Sequence, residues 1–189
     1  VDRFENKETQ VIQADLGGAN FHHLGAWLEG HVLTIDTICS SDYSVYELFK
    51  NWTPKRIPQS SLMRPLRVKI DLAQQKVLSQ EVLIEDTSID FPTTENDEHG
   101  RPLFYYSLVS EDSGDPLAFN GLLKWHIPSS QIIRVRAPLH NTWGEPVLVK
   151  DLNGQTWIFH LSYDQNQDET SLIVRNEVDL SVKAQIYFG

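Results

Sequence analysis

The chain has 189 residues and a formal net charge of −10, with 26 acidic against 16 basic side chains. It is 40% hydrophobic and 22% charged, an ordinary globular composition with enough apolar residues for a sizeable core. The acidic excess, with basic residues scattered and densest only in Thr53–Pro58, excludes a nucleic-acid partner, which would need clustered Lys and Arg. Cys39 is the single cysteine, so no internal disulfide can form and a reducing, intracellular compartment is expected. No apolar run approaches the ~18 residues of a membrane span, and the opening VDRFENKETQ has no signal-peptide core. The sequon at Asn51–Thr53 carries no weight alone. The pattern starts and stops in mid-element, and the chain is expected to be a piece of something longer.

In chain order, short β-rich runs alternate with turn residues. Strands are expected over 31–36, 64–72, 76–84, 103–109, 120–127, 131–137, 145–150, 156–164, 169–176 and 181–188. Hairpin signals separate them, among them Asn153-Gly154 and the stretch Glu111–Gly114. Helical spacing occurs once, over 41–52, where Val45, Leu48, Phe49 and Trp52 share a side. Ten strands, one short helix and no βαβ alternation define an all-β chain. A β-propeller and a large sandwich both fit. Blades of ~40–45 residues would make about four of them, though no blade signature repeats.

The stretch Asn20–Trp27, NFHHLGAW, holds two adjacent histidines in an apolar setting, where each ring nitrogen needs a partner. The longer segment FHHLGAWLEGHVLTID resembles a motif of the carotenoid cleavage oxygenases: Phe-His, a small residue, an aromatic and a strand ending in Asp. Phe21, His22, Ala26, Trp27 and Asp36 fit it, and Gly25 stands where Asn is usual. Further segments follow in the family's order: LRVKIDLAQQKV (66–77), IDFPTTENDEHGRPLFYYSLV (89–109), WGEPVLV (143–149), GQTWIFHLSYD (154–164) and SLIVRNEVDLSVKAQIYF (171–188). The resemblance spans about residues 20–189. It implies a seven-bladed β-propeller with iron on its axis, of which residues 1–189 would be a C-terminal part, roughly half, incomplete at both ends. An open half-ring leaves sheet faces uncovered and should need the rest of the propeller for stability.

The resemblance also implies a chemistry. Four histidines hold Fe(II) in the family, and imidazole suits iron while leaving positions open for dioxygen. His22 maps onto one of the four. Two others would precede residue 1, and the fourth would follow Gly189. Alternation along a strand should turn His23 away from His22. His31, His99, His126, His140 and His160 fall at no ligand position; His160, within a strand, should be an outward or hydrogen-bonded residue. Ligand imidazoles need their second nitrogen held, usually by a carboxylate. Asp90, where the family has Glu, would hold His22, directly or through a bridging water. Glu145 would hold the C-terminal histidine.

The implied activity is a non-haem Fe(II) dioxygenase cleaving a conjugated double bond of a carotenoid or apocarotenoid to carbonyl products. Its partners would be an apolar polyene and dioxygen, with a peripheral membrane contact left open and a cytoplasmic, plastid-like or membrane-associated location. Gly25, Asp90 and a short connection between 150 and 154 mark a divergent member. A catalytically inactive propeller that binds a pigment or serves as a structural subunit is the alternative, and an isomerohydrolase is a third.

Overall fold

The computed structural model describes residues 11–40, 62–110 and 119–188. The expected helix over 41–52, the basic group 53–58 and the turn at 111–114 lie outside the described residues. Within them there are thirteen strands and no helix. No helix there is long and apolar enough to cross a membrane.

The first sheet contains β1 (Asn20–Glu29), β2 (Val32–Ser40), β3 (Met63–Asp71) and β4 (Lys76–Val82), each antiparallel to the next. The second contains β5 (Ser88–Asn96), β6 (Pro102–Ser110), β7 (Gly121–His126) and β8 (Gln131–Arg136) in the same order. In the third, β10 (Val147–Lys150), β11 (Thr156–Asp164), β12 (Glu169–Asn176) and β13 (Val182–Phe188) form the meander. The short β9 (Asn141–Trp143) pairs with β11 beside β10, so β9 and β10 act as one strand broken at 144–146. Three blade-like sheets thus stand where spacing alone predicted about four.

Local sequence explains much of this. Along β11, Ile158, His160 and Ser162 are buried while Leu161 and Tyr163 are exposed, the two-residue period of a sheet with unlike faces. In β2 and β7 nearly every residue is buried or half-buried, because these central strands are covered on both faces. The two-residue loop between β1 and β2 starts at Gly30 with φ of 61°, which glycine adopts without a steric cost.

Two apolar cores fill the seams. Leu24, Ile38, Met63, Ile89, Tyr105 and Trp125 pack between the first and second sheets, and Tyr106, Leu122, Trp143, Ile158 and Leu180 between the second and third. Adjacent tyrosines of β6 serve both seams, since neighbouring strand residues point to opposite faces. Tyr105 donates its hydroxyl to Asp36 Oδ2 at 2.6 Å, and Tyr106 donates to Glu177 Oε1 at 2.6 Å. Burial, with the adjoining carboxylate, pushes both phenols far above their usual range, so each is a neutral donor. Arg67 grips Asp36 with two bonds of 2.8 and 2.7 Å, and Lys124 pairs with Glu177. The far face of the third sheet exposes Val147, Leu161, Tyr163, Ile186 and Phe188, a patch with no cover among the described residues.

Candidate functional site

The first and second sheets converge along β1 and β5, which bring His22 and Asp90 together. His22 Nδ1 and Asp90 Oδ1 lie 2.6 Å apart, a direct hydrogen bond with no water between them, although Asp is one methylene shorter than Glu. The reach comes from backbone irregularity. Between Asp90↔Leu108 and Thr93↔Tyr106, β5 carries one residue more than β6, a β-bulge at Phe91-Pro92. Phe91 sits in the left-handed region at φ 53°, a conformation that costs a bulky residue about 1–3 kcal/mol. That turn brings its backbone N–H onto the Asp90 carboxylate and its ring to 5.2 Å from the imidazole of His22. Phe119 then meets Phe91 edge-on at 5.5 Å.

Asp90 is buried, and its pKa is raised chiefly by that burial, against the lowering effects of the Phe91 N–H and of His22. The Glu145 carboxylate adds to the rise, which places it within electrostatic reach of the pair. Glu145 lies in the break between β9 and β10 and is exposed, not within the strand expected over 145–150. His22 and Asp90 are thus brought together from the first and second sheets, with Glu145, from the break beside the third, acting on Asp90 only through its charge.

β1 is irregular as well, with register shifts on both sides of the His22-His23 pair. His23 departs from His22 and bonds Thr37 Oγ1 through Nδ1 at 2.9 Å; the Thr37 hydroxyl donates to the His22 carbonyl at 3.0 Å. Asn20 also donates to the Thr37 hydroxyl. The second histidine therefore braces the backbone of the first. Thr37 had no sequence signal; only its register opposite His23 finds it.

Because Asp90 holds Nδ1, the His22 nitrogen left for a metal is Nε2. An imidazole with one nitrogen fixed by a carboxylate is the usual donor arrangement of a metal-binding histidine. The His22 side chain is 39% exposed, so the ring is accessible. Among the described residues no group of three or more His, Cys, Asp or Glu could hold a metal. The residues present fit one ligand of an iron site and cannot form the whole of it. His160 is elsewhere: it is buried in the third sheet and hydrogen-bonded to Arg175.

Solved structures share this architecture. A Synechocystis apocarotenoid oxygenase carrying a tryptophan-to-alanine substitution superposes with a TM-score of 0.76 at 20% identity, covering 91% of this chain. An ACO/RPE65 chimera gives 0.76 at 19%, and cobalt-substituted Synechocystis ACO gives 0.73 at 19%, each again covering 91% of this chain. At such identity the likeness speaks for the fold: the three sheets are blades of a β-propeller. The chain spans 37% of the length of those proteins. No curated protein matches the sequence. The profile of the retinal pigment epithelial membrane protein family, RPE65, matches residues 1–187. On that match the chain belongs to the carotenoid cleavage oxygenase family, whose members include carotenoid-processing enzymes.

Proposed function

We propose that the intact protein is a non-haem iron oxygenase that cleaves a conjugated double bond of a carotenoid or apocarotenoid. The observation that carries this reading is the His22–Asp90 pair, one imidazole with Nδ1 held at 2.6 Å and Nε2 left for the metal. Iron, when bound, supplies the activation of dioxygen. The chain's own residues hold and shield the site. Asp90 accepts a hydrogen bond from the His22 Nδ1–H, fixes the tautomer and makes the ring a better donor. Phe91, backed edge-on by the buried Phe119, presents an apolar ring beside the imidazole, suited to a polyene and hostile to water. Glu145 stands ready to hold the other nitrogen of a ligand histidine from outside residues 1–189. The balance is simple: the carbon–carbon double bond breaks, each carbon takes one oxygen atom of O₂, and two carbonyls form with no other reductant.

The remaining ligands and the cover for the exposed face of the third sheet belong to the rest of the propeller. The test uses the intact protein loaded with Fe(II), an apocarotenoid and ¹⁸O₂. The expected result is two carbonyl fragments, each bearing one ¹⁸O. Label entering from water with the chain of carbons intact would favour an isomerohydrolase. Pigment bound without turnover would favour a binding protein.

A further inference from the structure

We propose that His160 is a positioning residue: clamped between Arg175 and the Leu161 carbonyl, it fixes the strand break that carries Glu145. The proposal rests on the iron-site reading above only for what Glu145 does, not for how it is held.

The break is a mismatch in register. Trp143 pairs with Ser162 and Val147 with Phe159, so three residues, 144–146, face two. A bulge of this kind needs something to define it. Here the Leu161 carbonyl does so. It accepts the Gly144 N–H at 2.9 Å and the His160 Nδ1–H at 3.0 Å. The imidazole is held in turn at its other nitrogen, where Nε2 accepts from Arg175 Nε at 2.9 Å; that bond requires the proton to be on Nδ1. Arg175 Nη1 donates to the Leu180 carbonyl at 2.8 Å. The Trp143 ring lies 4.8 Å from the imidazole and 4.5 Å from the guanidinium carbon. A Cβ on Gly144 would come within 3.3 Å of Leu161 Cβ, so a side chain there would require Leu161 to give way by a few tenths of an ångström.

His160, Arg175, Trp143 and Leu180 are all at most 6% exposed. A buried guanidinium with no carboxylate partner among the described residues is costly to keep, and burial alone lowers its pKa. An apolar pair would fill the same space more cheaply. What the polar pair supplies is direction: a fixed imidazole tautomer, a fixed Leu161 carbonyl and hence a fixed amide one residue before Glu145.

The experiment compares wild type, His160→Phe and His160→Gln in the intact protein. Two quantities are read: hydrogen exchange at the Gly144 amide relative to Ile173 in β12, and Fe(II) affinity by direct titration. His160→Phe is expected to speed Gly144 exchange about tenfold relative to Ile173, the loss of roughly one hydrogen bond. It should weaken iron binding by about ten- to a hundredfold. Glutamine, which can both donate and accept, should restore most of each. If the Phe variant does not fold, the His160→Leu/Arg175→Met double variant replaces the pair with apolar groups and must show the same two changes. Exchange that is unchanged at Gly144, or that rises uniformly over the third sheet, overturns the proposal. A wild-type protein that binds no iron defeats the oxygenase reading instead, while the exchange result still decides the clamp.

Discussion

Replacing Arg67 by Met should destabilise the intact protein by about 3–5 kcal/mol, because the change strands a buried charge. Asp36 is completely buried and takes three bonds: two from Arg67, at 2.8 and 2.7 Å, and one from the Tyr105 hydroxyl at 2.6 Å. Methionine keeps an unbranched apolar stem but removes both donors and the guanidinium that lies 5.2 Å over the Trp27 ring, leaving the carboxylate with Tyr105 alone. Tyr105→Phe removes one hydrogen bond to a charged group and should cost about 1.5–3 kcal/mol. The decisive measurement is a double-mutant cycle by urea unfolding. Asp36→Asn removes the charge that Arg67→Met strands, so the double variant should be more stable than the sum of the two single effects predicts. The coupling should fall at about 1–3 kcal/mol. Additivity to within about 0.5 kcal/mol would refute the reasoning, since it would mean that Asp36 and Arg67 do not depend on each other. The same network ties β2 and β3 of the first sheet to β6 of the second, so its loss should also loosen the seam on which His22 and Asp90 meet.

Three other outcomes follow from the site and the third sheet. Burial lowers the His160 pKa from the ordinary 6.5 to about 4, so the folded state disfavours the charged ring; Arg175, facing it, acts in the same direction. Its contribution is complete above pH 6.5 and is lost as pH falls towards 4, a change of about 3 kcal/mol that urea melts across this range should show and that His160→Gln should flatten. Asp90→Ala should weaken Fe(II) binding by about ten- to a hundredfold without unfolding the protein; titration showing unchanged affinity would separate Asp90 from the metal. His23→Ala should leave iron content intact and cost about 1 kcal/mol in a thermal or urea melt, the loss of one brace through Thr37; loss of iron in this variant alone would mean that the two histidines have been assigned the wrong way round.

Several features were legible in the sequence because they depend on neighbours along the chain. Two-residue alternation marks β11 and β12 directly, and the Asn153-Gly154 turn between β10 and β11 follows from local backbone preference. The family was legible from the order of its motifs, and the pairing of His22 with Asp90 was expected from that resemblance. Three strands were not. β1 contains the irregular FHHLGAW, β5 runs through Pro92 and a polar stretch, and β9 is three residues long. Each is held by its partner strand and by bulges, so its own composition does not announce it.

Tertiary structure alone decided how the site is built. The sequence determined that an imidazole follows Phe21, that an acid precedes Phe91 and that another lies between Gly144 and Pro146. It could not show that Phe91 adopts a left-handed conformation that lets the shorter Asp reach the ring directly, nor that His160 is buried against Arg175. These outcomes depend on register between strands far apart in the chain. His22 and Asp90 are separated by 68 residues, and His160 and Arg175 meet only because β11 and β12 fold back on each other. A bulge shifts register by one residue and turns every later side chain to the opposite face. Local propensity is nearly indifferent to that shift; the packing of one blade against the next is not, because the wrong register would bury an unpaired charge in the seam.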